Sequence, residues 1–311
     1  MKQMSYTLFT EKFRPQSVND MIIPESYKQF FLKQIEKGEI TNLLLYSSTP
    51  GAGKTSIAKA ICNDLDADYL YLNISSESGV DTLRTDIARF ASGKSLGGKK
   101  KIVICDEFDG ASQKFQMAMR AAMEEFQNTC RFILTCNYVN KIIPALRSRL
   151  MEYDFNMNTP AIREEMIPKV QQRLKMVLQF ENVEYVEDVV NVLAETLYPD
   201  IRKMYGMLQQ YSIQNGLIDS NIFGMETSDD ELFDLVMAKK YTQARQFVTE
   251  AGYNFNDMYS QFFEKLLPRI TDPNKKGQII TIIADYQFKA SYSVNPEIPF
   301  AAMLYEVICA L

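Results

Sequence analysis

Pro50-Gly51-Ala52-Gly53-Lys54-Thr55 decides the fold. The hexapeptide follows an apolar run at 43–47 and precedes a stretch, 54–63, with apolar residues at helical spacing. Glycines at 51 and 53 let the main chain wrap so that successive N–H groups point inward, and the helix that follows adds the positive end of its dipole. Such a cradle holds a polyphosphate. Lys54 would bridge the β- and γ-phosphates, and the Thr55 hydroxyl would ligate Mg²⁺. The full G-x-x-x-x-G-K-[ST] pattern asks for glycine at 48, where this chain has Ser48. A residue with a Cβ is accommodated there if its φ is negative. A glycine-rich turn with a chance lysine is the plainer alternative, and it leaves the next signal unexplained.

Some fifty residues on, the apolar run 101–105 ends in Asp106-Glu107. Ligands of open α/β sheets bind beyond the carboxyl ends of the strands, so a buried strand delivering two carboxylates there suits a triphosphate site. Asp106 would hold Mg²⁺ through its water shell and Glu107 would polarise the attacking water. A third run, 132–136, presents Asn137, whose amide would orient water or the γ-phosphate. An asparagine at a strand end is also a common turn former.

Outward from these motifs, strand-like runs at 43–47, 68–73, 101–105 and 132–136 alternate with helical patterns at 54–63, 80–91 and 113–126. The expected fold is α/β, a parallel sheet covered by helices. After Pro160 helical patterns follow at 161–180, 184–197 and 200–214, and a turn-rich stretch at 215–230 precedes further helical segments broken at Gly252, Pro268 to Pro273 and Pro296 to Pro299. Three units are expected: 1–155, a P-loop domain; 156–222, a small helical domain; and 223–311, an all-helical domain.

Composition removes whole classes of chemistry. The chain of 311 residues has no histidine, so a Ser-His or Cys-His nucleophile and a histidine-ligated metal are excluded. The five cysteines (62, 105, 130, 136, 309) lack C-x-x-C spacing and read as buried reduced thiols. No apolar run approaches a membrane span, and residues 1–30 lack the apolar core of a secretory signal, which points to a cytoplasmic protein. The net charge of −5 conceals an asymmetry: residues 1–150 carry +4 and residues 151–311 carry −9. Contact with a polyanion is therefore expected in the first half, unless the difference is only one of solvated surface charge.

These residues, in this order, resemble the AAA+ ATPases, and within them the sliding-clamp loaders, replication factor C-like proteins that include the ATPase large subunits of T-even-type phage loaders. Glu11-Lys12-Phe13-Arg14-Pro15 resembles the loader segment that covers the adenine, which implies that Thr10, Glu11, Lys12, Phe13 and Ile22 line the base pocket; pattern alone reads a coil before a helix. The resemblance assigns nucleotide binding to Gly51, Ala52, Gly53, Lys54, Thr55, Ser56, Asp106 and Arg202. Asp106-Glu107-Phe108-Asp109 is similar to the Walker B signature. The helix Gln116-Met117-Ala118-Met119-Arg120-Ala121-Ala122-Met123-Glu124 is similar to the loader helix in which Gln116 and Arg120 would couple DNA contact and subunit packing to the catalytic carboxylate; without the family it is an ordinary amphipathic helix. Leu146-Arg147-Ser148-Arg149-Leu150 resembles the Ser-Arg-Cys motif with leucine for cysteine, which makes Arg149 an arginine finger for the neighbouring subunit's ATP. Asp200-Ile201-Arg202-Lys203 resembles the sensor-2 segment, which would bring Arg202 onto the γ-phosphate.

The stretch 73–84 resembles the lead-in to a DNA-tracking helix, with Arg84 retained, Ser78 where relatives often have a basic residue, and Arg89, Lys94 and 99–101 nearby. The family further implies ATP and Mg²⁺ as cofactors and DNA-stimulated hydrolysis. It implies as partners other copies of the chain and a smaller subunit in a hetero-pentamer, a ring-shaped sliding clamp, and primer-template DNA during viral replication in the host cytoplasm. The third unit would form a collar. Other readings are a different AAA+ machine, such as a helicase loader or an unfoldase subunit, and a nucleotide-binding scaffold without turnover. The opening Glu-Lys-Phe-Arg-Pro speaks against the first, and the complete set Lys54, Thr55, Asp106, Glu107, Asn137 and Arg149 against the second.

Overall fold

The computed structural model describes residues 7–49, 51–75, 80–93, 98–225, 227–250, 255–293 and 295–311. They form two compact units, Met1–Ser220 and Asn221–Leu311.

The first unit is built on five parallel strands, β1 (Leu43–Tyr46), β2 (Asp68–Asn73), β3 (Lys101–Asp106), β4 (Arg131–Cys136) and β5 (Met151–Asp154), in the order β2-β3-β4-β1-β5. The three central strands are near-continuous apolar runs because helices cover both faces of a parallel sheet; every residue of β3 is buried. Strand β5 has no such run. Met151-Glu152-Tyr153-Asp154 lies at the sheet edge with three of its four residues exposed. Its sequence shows no strand pattern, and the edge position alone admits it.

Helices α1 (Phe9–Lys12) and α2 (Glu25–Glu36) precede β1; α3 (Lys54–Asp64), α4 (Val80–Ser92), α5 (Gln113–Glu125) and α6 (Pro144–Arg147) connect the strands. Residues 9–12, expected as coil, form the short α1, anchored by the buried Phe9 ring. Ser112 caps α5 by accepting the Phe115 N–H at 3.2 Å, which satisfies one of the donors a helix start leaves open. Lys101, buried at the start of β3, donates to the Phe90 carbonyl at 2.8 Å and to that of Gly93. A cation thus closes the C-terminal end of α4, where the helix dipole is negative.

Three helices complete this unit: α7 (Pro160–Phe180), α8 (Glu187–Leu197) and α9 (Ile201–Asn215). Two caps fix their starts, Thr159 on the Ile162 N–H and Asp200 on the Lys203 N–H at 3.0 Å. A two-residue strand pairing, β6 (Glu184–Tyr185) with β7 (Leu217–Ile218), ties the ends of α7 and α9 together and replaces the helical start expected at 184.

The second unit contains α10 (Thr227–Met237), α11 (Tyr241–Glu250), α12 (Phe255–Gln261), α13 (Pro273–Ala290) and α14 (Glu297–Ala310) around a core in which Phe262 meets Phe233 at 5.3 Å and Phe300 at 5.8 Å. Pro299, expected to break the chain, lies in the first turn of α14, where its missing N–H has no intrahelical acceptor to lose. Gly252 lies outside the described residues. Four cysteines are buried and reduced; Cys309, expected to be buried with them, is exposed on α14. Among the described residues no helix is long and apolar enough to cross a membrane.

Candidate nucleotide site

A cavity of about 580 Å³ opens at the carboxyl ends of β1, β3 and β4. It is lined by the phosphate loop, the tip of β3, Asn137, the segment from Thr10 to Ile22 and four residues of α7 and α9. Gly51 has φ +73° and Gly53, the N-cap of α3, has φ +87°, backbone that side chains with a Cβ rarely adopt. Ser48 does not adopt a positive φ and so meets the loop without that strain. Gly51 is also needed for space, since a Cβ there would stand 2.2 Å from Oδ1 of Asp200. Asp200 is itself pinned as the cap of α9, so a methyl group has nowhere to go. Gly51→Ala is expected to destabilise the fold by about 1–3 kcal/mol, read as a lower midpoint in urea, with weaker ATP binding; an unchanged midpoint would contradict the close approach.

Lys54 reaches back over the loop, its Nζ donating to the Ser47 carbonyl at 3.1 Å and to Oδ1 of Asn137 at 3.0 Å. Burial pushes its pKa below the ordinary lysine range, with the Cys136 side and the carboxylates of Asp106 and Asp109 opposing the shift. Asp106, buried at the tip of β3, accepts three hydroxyls: Thr55 at 2.8 Å, Tyr71 of β2 at 2.8 Å, and Thr135 of β4. Hydrogen bonds to a charged acceptor contribute about 1.5–3 kcal/mol each, which offsets a desolvation cost of several kcal/mol. Burial, followed by the bond to Asp106, raises the Tyr71 pKa, so its phenol stays a donor. Burial likewise pushes the Cys136 thiol up to about 12, which removes thiolate chemistry from the cavity wall.

Glu107 has φ +54°, a left-handed backbone uncommon outside glycine and asparagine. That kink ends β3 where Glu107 joins the cavity lining, while its N–H donates to Oγ1 of Thr135 at 3.2 Å. Asp109 accepts the N–H groups of Asn137 and Tyr138 at 3.3 and 3.2 Å, holding the strand end that presents Asn137.

Of the sequence-derived candidates, Thr10, Glu11, Phe13, Ile22, Gly51, Ala52, Gly53, Lys54, Thr55, Ser56, Asp106, Glu107, Asn137 and Arg202 line this cavity. Lys12 does not; its Nζ pairs with Glu181 at 2.6 Å and sits 5.0 Å from the centre of the Phe180 ring. Gln116 is buried away from the cavity. Its amide donates to the carbonyls of Ala111 and Lys141 and accepts the Ile143 N–H at 2.8 Å, which joins α5 to the segment leading into α6. Arg120 lies 3.6 Å from Glu124 on the outer face of α5. Arg149 is outside the cavity too: its Nη1 donates to the Ala145 carbonyl at 2.8 Å and its Nε to Glu124 at 2.9 Å. Arg149 holds the Glu124 carboxyl below the ordinary glutamate range. Ser78 and Lys94 lie outside the described residues, as does the side chain of Arg84.

Tyr71, Thr135, Arg173 and Tyr205 were not singled out from the sequence, and Asp109 and Arg14 stood in the quoted motifs without a role of their own. A lone hydroxyl inside the buried run Phe132-Ile133-Leu134-Thr135 was a usable signal; Arg173, one of many charged residues along α7, gave none.

For Mg²⁺, the donor chemistry fits. A threonine hydroxyl bonded to a buried carboxylate is a hard-oxygen pair. Among the described residues there is no cluster of three His, Cys, Asp or Glu side chains that would cage a metal without phosphate and water.

A phosphate loop after β1 of a parallel sheet, facing an Asp-Glu pair at the end of β3 and an asparagine at the end of β4, defines a P-loop ATPase. Residues 44–161 match the family model of the ATPase family associated with various cellular activities (AAA). The sliding-clamp-loader large subunit of Escherichia phage RB69 is 32% identical over 313 residues, covering 98% of this chain and 96% of that protein. The corresponding subunit of Enterobacteria phage T4 is 28% identical, with 98% and 96% covered, and human replication factor C subunit 5 is 31% identical, with 95% and 90% covered. Among solved structures, the Thermotoga maritima RuvB Holliday junction branch migration motor superposes with a TM-score of 0.56 at 16% identity, over 78% of this chain and 86% of that one, a likeness of fold alone. The chain belongs to the sliding-clamp-loader family of AAA ATPases and is an ATP hydrolase of DNA replication.

Proposed function

We propose that the chain is the ATPase subunit of a hetero-oligomer, a pentamer with a smaller subunit, that opens a ring-shaped clamp and sets it on primer-template DNA in the cytoplasm of a phage-infected host. The observation that carries this reading is a division of labour between two surfaces. Lys54, Thr55, Asp106, Glu107 and Asn137 converge on one cavity, while Arg149, the cation a transition state needs, lies outside it. A site of this kind is completed by a neighbour.

Within the cavity the roles follow from position. The N–H groups of residues 51–55 and the ammonium of Lys54 bind the β- and γ-phosphates. Thr55 and Asp106 would hold Mg²⁺, which supplies neutralisation of charge across the phosphates. Glu107 accepts the proton of the attacking water, a carboxylate taking the part that histidine often plays, in a chain that has none. Asn137 orients that water. Arg202, on α9, gains an anionic partner when a γ-phosphate is present, which makes the seating of α7–α9 depend on nucleotide. Gln116 joins the α5 surface to the segment before Arg149, a route by which DNA at Arg84 and Arg120 would act on the finger.

Phosphate contacts read duplex shape and not sequence. Units 1–155, 156–222 and 223–311 are assigned to ATPase, lid and collar, the last lying in the acidic half of the chain, which DNA would repel. The test is turnover. ATP hydrolysis by the purified chain with its smaller subunit should be slow, and primer-template DNA with the cognate clamp should stimulate it in a salt-sensitive way. Stimulation by unfolded polypeptide instead, with none by DNA, would move the chain to the unfoldase class.

A further inference from the structure

The segment that contributes Thr10, Glu11 and Phe13 to the cavity lining is fastened to α7 and α9. The Phe9 N–H donates to Oε1 of Gln209 at 2.9 Å, and Nε2 of the same amide donates to the Thr7 carbonyl at 3.2 Å. One side chain on α9 thus both accepts from and donates to α1 and its lead-in. Arg173 of α7 donates to the Phe13 carbonyl at 3.3 Å, and the Phe13 ring packs edge-on against Phe180, centroids 5.5 Å apart. The other wall hangs elsewhere. Asp64 of α3 accepts the Val18 N–H at 2.8 Å, which fixes the turn that leads to Ile22. Two parts of the cavity lining are therefore anchored to different elements, and Gln209 sets the place of the first without lining the cavity itself.

We propose that Gln209 is a positioning residue for base selection: its amide holds residues 9–13 at the distance from Ile22 that admits an adenine. This rests on the reading that Thr10, Phe13 and Ile22 face the base. Gln209 lies seven residues after Arg202, two turns or about 10 Å along α9, so one helix positions both the base wall and a phosphate-end cation. Base fit and lid seating are thereby linked. The bonds are local to the segment. Removing them leaves the Phe9 amide without its acceptor, while alanine continues α9 without cost to the helix.

Calorimetric binding of ATP, ITP and inorganic tripolyphosphate to the full chain tests this. The wild type is expected to prefer ATP over ITP and to bind tripolyphosphate weakly. Gln209→Ala should lower ATP affinity ~10-fold, the loss of two hydrogen bonds, and shrink the ATP-over-ITP ratio by a similar factor, with tripolyphosphate unchanged. Gln209→Glu, which keeps the acceptor for Phe9 and loses the donor to Thr7, should fall between. A Gln209→Ala chain with the wild-type ratio would overturn the proposal, as would one that loses tripolyphosphate and ATP in parallel. A wild type that does not distinguish ATP from ITP would instead remove the base-pocket reading, a separate failure.

Discussion

Arg149→Ala is expected to cut ATP turnover by the assembled protein about 10³–10⁵-fold, the range an arginine finger supplies in related nucleotidases, with ATP binding by the isolated chain unchanged. The second half of that expectation comes from where Arg149 lies. Its guanidinium is held at the protein surface by the Ala145 carbonyl and by Glu124, outside the cavity that holds Lys54 and Asp106. Removing it takes nothing from the cradle that binds the ground state. Charge that builds on the phosphate oxygens in the transition state loses its partner, so the effect falls on kcat. Arg149→Lys should recover little, because an ammonium cannot reproduce the two-pronged donation of a guanidinium. A fall in ATP affinity of the isolated chain equal to the fall in turnover would mean that the residue serves its own subunit's site.

Glu107→Gln is expected to leave ATP binding intact and to lower hydrolysis about 10²–10⁴-fold, the usual contribution of a positioned general base. The substitution keeps size and removes only the proton acceptor. The kink at this position is a backbone feature, φ +54°, accompanied by the bond from the Glu107 N–H to Thr135, and both survive it. Single-turnover measurement on the assembled complex separates this from a binding defect. Wild-type turnover in the variant would assign the base elsewhere among the cavity residues.

How much of this was legible before the structure depends on which partners lie close in sequence. The phosphate loop and the Asp106-Glu107 pair are local patterns imposed by buried parallel strands, and the runs at 43–47, 68–73, 101–105 and 132–136 lie within a residue or so of the strands found. Strand β5 was illegible because an exposed edge strand has no two-sided burial to impose a run. The environment of Asp106 was illegible for a different reason. Its hydroxyl donors come from β2, α3 and β4, and only the order β2-β3-β4 brings Tyr71 and Thr135 to either side of it. The same holds for Lys12, whose neighbours in the motif line the cavity while it pairs with Glu181, far along the chain at the end of α7. Glu124 stands in the quoted helix, but that it holds Arg149 follows from the packing of α5 against α6 and no spacing announces it.

The most direct test of the account is complementation between two dead subunits. Arg149→Ala keeps an intact cradle and base but offers no finger; Glu107→Gln binds ATP and offers a finger but has no base. Each, assembled alone with the smaller subunit, DNA and clamp, should be nearly inactive. Mixed before assembly, they should form interfaces in which an intact cavity meets an intact Arg149, and turnover should return to a sizeable fraction of wild type. A mixture as inactive as either parent would contradict a catalytic site shared between neighbouring copies.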